Sequence, residues 1–223
     1  MHVTPDLTRY QLAHDAMRLG ARQLADALAT TDPADADRAR ALRWWCDGFI
    51  GELHAHHTVE DELFFPALAA RVPTFAREHD AVLAAEHVEL DEIMTALQAA
   101  AQGLASGRDV EDHLAVATAR AEELSAFLDH HLGIEDDDVL PLFARHFTAE
   151  EYQRLDDQAL KSIGPRQLLF TVPWAVCAGD PDTRAQVLAD APLPVRVIWV
   201  LTRRRYVRRA TLALGIPAMA VAR

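Results

Sequence analysis

The sequence predicts an all-α fold: an up-down-up-down four-helix bundle over residues 1–147 and a helical C-terminal extension over residues 148–223. Three observations carry this. Apolar residues recur at mixed three- and four-residue steps as far as about residue 145, the spacing of one buried helical face. Gly and Pro sit mostly between those runs. The pattern of the first helix pair also recurs in a second pair, which suits a bundle with short loops.

The first helix spans about Asp6 to Ala29, with Leu7, Tyr10, His14, Met17, Ala21, Leu24 and Leu28 as its inward stripe. Asp32-Pro33 then reads as an N-cap followed by a first-turn proline. The second helix runs to about Ala70, with Phe49, Leu53, His56, Glu60, Phe64 and Ala67 on one face. The third starts after Pro73 and ends before Gly103, with Leu83, His87, Leu90, Met94, Leu97 and Ala101 inward. The fourth starts after Gly107 and presents Leu114, Ala117, Ala121, Leu124, Leu128, His131, Glu135 and Val139. Beyond residue 147, Thr148 and Glu151 form a capping box that opens a helix to about Ile163. Pro165, Pro173, Pro181, Pro192 and Pro194 break the remaining chain into short pieces, and a final helix from about Val195 to Leu214 carries Arg196, Arg203, Arg204, Arg205, Arg208 and Arg209.

A chain of 223 residues, half of them hydrophobic and a quarter charged, is long enough to bury a core without staples. Its formal charge of −12 argues against nucleic acid as a partner. Residues 1–160 hold 31 acids and 12 bases, whereas residues 161–223 hold 10 bases and 3 acids. An acidic body therefore carries a basic tail. Cys46 and Cys177 make no disulfide framework. The start, with His2, Thr4, Pro5 and Asp6, lacks the basic and apolar regions of a secretory signal, and no apolar run is long enough to span a membrane. The expected location is the cytoplasm.

Every one of the four apolar stripes contains a histidine, and two carry a glutamate one turn later. Polar groups on a buried face cost free energy unless paired or ligated. The chain repeats around them. His56-His57-Thr58-Val59-Glu60-Asp61 precedes Pro66, and His130-His131-Leu132-Gly133-Ile134-Glu135-Asp136 precedes Pro141, with six residues from Glu to Pro in both. His56 and His131 lie 75 positions apart, and His14 and His87 lie 73 apart. His-x-x-x-Glu sets both side chains on one helical face, roughly 5–6 Å apart at Cβ. Four imidazoles and two carboxylates converging in a bundle core suit a dinuclear metal site. Each glutamate would bridge and each metal would take two imidazoles.

These stretches resemble the hemerythrin family, specifically its hemerythrin-like HHE cation-binding domains of bacteria. The resemblance rests on His14-Asp15-Ala16-Met17-Arg18, on His56 through Pro66, on Glu86-His87-Val88-Glu89-Leu90 and on His130 through Pro141, and covers about residues 5–145. It implies a four-helix bundle around a non-haem centre of two iron ions. It also implies a small ligand such as O₂, peroxide or nitric oxide. The implied ligands are His14, His56, Glu60, His87, His131 and Glu135. Oxygen-carrying members have His-x-x-x-His on the third helix. Here Leu83 and Asp91 flank His87 at that spacing, so a fifth histidine is missing and redox chemistry or sensing is favoured over reversible O₂ transport. Their fourth helix has His-x-x-x-x-Asp, which His131 and Asp136 also fit. The shared Glu-to-Pro interval favours Glu135. Manganese or a mixed site stays open, because these metals share such ligands.

Other residues have plainer readings. His57 and His130, turned about 100° from the adjacent ligands, are expected outside the ligand set. Tyr10 is a core residue, with lining the site or binding metal as its alternative. His79 is a solvated helix-start histidine or a spare ligand. His54, His113 and His146 are surface residues. The acids Asp61, Glu62, Asp136, Asp137 and Asp138 form a solvated face from which some could orient ligand imidazoles. Glu-x-x-His, His-Glu-x-x-His, Cys-x-x-Cys, Gly-x-Ser-x-Gly and a phosphate loop are absent. The arginine-rich helix is expected to dock on the chain's own acidic bundle. Attachment to an anionic membrane surface, or to a partner or nucleic acid, are its other readings. Two functions fit these features: a di-iron redox protein consuming a small oxidant, or an oxygen- or iron-sensing module reporting through residues 148–223.

Overall fold

The computed structural model describes residues 3–179 and 181–215; His2 and the tail beyond Gly215, Arg223 included, lie outside that description. Among the described residues there are helices and no strands. The bundle comprises α1 (Thr8–Ala29), α2 (Ala36–Val59), α3 (Phe65–Arg71), α4 (Pro73–Glu78), α5 (Asp80–Ser106), α6 (Val110–Ile134) and α7 (Leu140–His146). A π-helical turn, Glu60–Phe64, joins α2 to α3, and a second, Glu135–Val139, joins α6 to α7. The extension comprises α8 (Ala149–Ser162), α9 (Pro165–Ala178), α10 (Pro181–Asp190) and α11 (Leu193–Leu214). No helix among the described residues is long and apolar enough to cross a membrane.

The helices α1, α2, α5 and α6 close a ring of neighbours, α1 with α2 and α6, and α5 with α2 and α6. Two apolar clusters fill it. One contains Met17, Leu24, Leu53, Leu90, Leu97, Leu124 and Leu128. The other contains Tyr10, Phe64, Phe65, Leu83, Val139 and Phe143. On each long helix the polar stripe residues fall between the two. The chain therefore runs from the second cluster to the first along α1 and α5, and the opposite way along α2 and α6.

Several boundaries differ from the sequence reading. Asp35, not Asp32, caps α2, its carboxylate accepting from the Arg38 amide at 2.9 Å. Gly103 lies inside α5, which ends at Gly107, where φ is +74°. Gly103 is there for close approach, since a Cβ would stand 2.3 Å from the His113 ring. Past Glu60 the inward stripe continues through Phe64 and Leu68 rather than Ala67, because the π-turn inserts one residue.

The extension packs on the bundle through α9 and α11, which contact α2 and α1. The contact of α9 and α11 is apolar and aromatic, whereas α8 is tied to the bundle by two ion pairs, Arg9 with Asp156 and Arg71 with Glu151 at 2.6 Å. Phe170 sits among Trp44, Trp45, Trp174 and Tyr206, and the Trp45 indole donates to the Tyr206 hydroxyl at 3.3 Å. Among the described residues, no arginine of α11 forms an ion pair with the bundle. Arg209 instead lies 4.5 Å over the Trp44 ring.

Candidate metal centre

The six stripe residues converge between the two apolar clusters. His14, Glu60, His131 and Glu135 are fully buried and His87 nearly so. His56 keeps a small exposed edge. Two groups of metal-ligating atoms form: His14, His56, Glu60 and Glu135, and His57, Glu60, His87 and His131. The glutamates span them. Glu60 turns Oε1 toward His56 Nε2 at 3.0 Å and Oε2 toward His87 Nε2 at 3.7 Å. Glu135 turns Oε2 toward His14 Nε2 at 3.3 Å and Oε1 toward His131 Nε2 at 3.4 Å.

Carboxylates hold three of the rings from behind. Asp136 meets His14 Nδ1 at 2.8 Å, Asp61 meets His87 Nδ1 at 2.9 Å and Glu86 meets His131 Nδ1 at 2.7 Å. A carboxylate at Nδ1 fixes the proton there and leaves the Nε2 lone pair facing inward. His87 Nε2 and His131 Nε2 then face each other at 3.2 Å, two acceptors with no proton to share. The Nε2 atoms of His14, His56 and His57, Glu60 Oε2 and both Glu135 oxygens are buried without a hydrogen-bond partner. Such a donor set is costly alone and complementary to cations. The residues present therefore fit metal ions.

Electrostatics point the same way. Burial would raise the Glu60 carboxyl, but the imidazoles of His56, His57 and His14 outweigh it and hold it well below the usual carboxylate range. Burial pushes the Glu135 carboxyl well up, and the charge of Glu60 pushes it further. Two carboxylates this close cannot both stay ionised without a cation. Burial also lowers His14, His57 and His131. His56 is raised instead, because Glu60 outweighs the effect of its burial.

Sequence reasoning placed the stripe and anticipated that acids such as Asp61 and Asp136 could orient its rings, but it missed other flanking residues. His57, expected outside the ligand set, is buried with its Nε2 turned into the second group, its ring centroid 4.5 Å from that of His87. It brings a fifth histidine to a centre whose third helix lacks one. His130 is on the surface, its side chain 70% exposed. Glu86, quoted in the sequence as part of a matching stretch but given no role there, orients His131. Asp136 stands behind His14, tied also to Arg18 Nη2 at 2.6 Å, and leaves Glu135 as the inward carboxylate. Tyr10 lines the centre: its hydroxyl donates to Glu60 Oε1. His79 stacks on Phe75 and belongs to neither group.

Comparison with known proteins gives the same outline. The family model described as hemerythrin HHE cation binding domain matches residues 7–143. A curated relative, the zinc finger protein BRUTUS of Arabidopsis thaliana, is 23% identical over 182 residues. The match covers 64% of this chain but only 14% of that relative's length. No solved structure matches the chain.

Proposed function

Since the chain belongs to the hemerythrin HHE cation-binding family, we propose that it is a non-haem di-iron protein that binds or turns over a small oxidant: O₂, peroxide or nitric oxide. The observation that carries this is the pair of donor groups sharing Glu60, each with at least two imidazoles and both within a buried, carboxylate-braced core. Bound there, two iron ions would supply redox equivalents and open coordination positions for a diatomic or peroxide ligand.

The chain's own residues set the conditions. Asp61, Asp136 and Glu86 hold the imidazole rings in the tautomer that presents Nε2. The Tyr10 hydroxyl keeps a proton beside Glu60, and burial with the nearby carboxylates raises its pKa well above the ordinary phenol. It is therefore a hydrogen-bond donor at neutral pH, not a phenolate. The two apolar clusters exclude bulk water from both sides. Iron-loaded protein should consume peroxide or give a nitrosyl absorption band with nitric oxide. Two irons per chain with neither response would refute the oxidant reading.

One contact favours sensing as a second reading. Tyr152 of α8 stacks on Phe64 of the first π-turn, at a ring-centroid distance of 6.1 Å, so the extension rests on the segment that begins with Glu60. Metal uptake that leaves the protease sensitivity of residues 148–215 unchanged would exclude it.

A further inference from the structure

A cleft of about 560 Å³ opens between the bundle and the extension, walled by α1 and α2 on one side and by α8, α9 and α10 on the other. This size is that of a small-molecule site. Most of its wall is apolar, with Leu12, Met17, Leu160, Ile163 and Trp174 among its lining, and Arg9, Asp15, Arg18, Arg22 and Asp156 line it too. Its lining includes His56, the exposed edge of the metal-ligating group, and Tyr10, whose hydroxyl donates to Glu60. A smaller cavity beside it shares Ala16, Leu19, Trp174 and Ala178 and continues along α1 toward α11. The lining from Arg9 to Gln23 follows roughly 20 Å of helix, at 1.5 Å per residue. Neither a diatomic molecule nor hydrogen peroxide needs a wall of this length or this apolar character.

We propose that the cleft binds a small organic hydroperoxide, with its oxygens at the Tyr10–His56 edge and its hydrocarbon body along the apolar wall that the extension supplies. This rests on the peroxide reading above and narrows it to a substrate class. The Tyr10 hydroxyl and the His56 ring are the polar groups that the cleft shares with the metal centre. The buried carboxylate of Glu52 accepts from Thr171 Oγ1 and, at 3.4 Å, from Gln167 Nε2, which ties the two walls together.

The test uses the full chain with Ala159→Phe or Ala175→Phe. Both positions line the cleft from the extension side, away from the ligands. Calorimetric titration with cumyl alcohol, the unreactive counterpart of cumene hydroperoxide, should show saturable binding to metal-free and iron-loaded protein alike. Each variant should weaken that binding at least tenfold with iron content unchanged. With ascorbate supplied as the reductant that gives the two electrons taking each peroxide to its alcohol or water, iron-loaded variants should consume cumene hydroperoxide at least tenfold more slowly while consuming hydrogen peroxide as wild type does. No saturable binding by the wild type, or variants equally slow on both peroxides, or unaffected on cumene hydroperoxide, would overturn the proposal. Binding of the alcohol without consumption of either peroxide would leave the cleft a ligand site and refute the oxidant reading instead.

Discussion

Glu135 shows how one residue reports the whole centre. Burial, and then the Glu60 charge, push the pKa of its carboxyl well up in the absence of metal. Its pKa is raised, so the proton is present below that raised value, and metal, which needs the anion, must displace it. Metal uptake should therefore release protons below that raised pKa, and affinity should fall as pH falls. Glu135→Gln keeps the shape and removes that proton. The metal-free variant should unfold within about 1 kcal/mol of wild type, because the amide fills the same space and adds no buried charge beside Glu60. Its metal content should fall by more than half. A large loss of metal-free stability, read by thermal or urea unfolding, would mean that Glu135 is structural. Single residues are also where the sequence was least readable. His57 and Glu86 are each one position from a stripe residue. Periodicity places a stripe but does not say which flank a neighbouring helix will cover. That depends on how α5 and α6 approach α2, which is a matter of packing. The stripe itself was legible because His14, His56, His87 and His131 interrupt apolar runs at helical spacing.

Among the helices and turns, the Glu-to-Pro interval shared by the two halves has a backbone cause. Pro66 and Pro141 cannot donate, and in an unbroken α-helix each ring would press on the carbonyl four residues back. The chain widens before each of them: the Phe65 amide bonds to Glu60 O, and the Leu140 amide to Glu135 O. Each following helix then restarts with its proline in the first turn, where a missing donor costs nothing. Glu60 and Glu135 open the two turns and face inward one helical turn after His56 and His131, while Asp61 and Asp136 reach the rings of His87 and His14 on other helices. The sequence carried the proline interval plainly, yet period counting assumes an α-helix and so mis-assigned Ala67. The joint between α2 and α9 is equally specific. A Cβ at Gly48 would stand 2.2 Å from the Phe170 ring, which its aromatic neighbours prevent from yielding. Gly48→Val should weaken the docking of α9 by about 1–3 kcal/mol. Limited proteolysis within residues 165–215 should accelerate accordingly, with metal content unchanged. Equal cleavage rates would show that the two helices do not need this close approach.

For the molecule in its entirety, the split between an acidic body and a basic tail was visible at once, and its simplest interpretation was a charge clasp. The extension does lie on the bundle, but aromatic and apolar burial holds α9 and α11 there, and the arginines of α11 form no ion pairs with it among the described residues. Charge counts report composition, not which faces meet. Burial of this kind is insensitive to salt, whereas exposed charge pairing is screened within about 10 Å at 0.1 M. Raising NaCl from about 0.1 M to about 1 M should therefore leave the protease resistance of residues 179–215 unchanged. Accelerated cleavage at high salt would restore the clasp. The bundle class and the order of its helices were legible because the stripes, the glycines and the repeat agreed with one another.

Metal analysis of the full chain expressed with excess iron, beside His56→Ala, decides whether the four helices converge on a metal pair through shared glutamates. About two irons per chain are expected in the wild type, with a loss of at least one in His56→Ala, whose fold is checked by circular dichroism. Iron well below one per chain in folded wild-type protein, or equal iron in both proteins, would contradict a shared-glutamate metal pair.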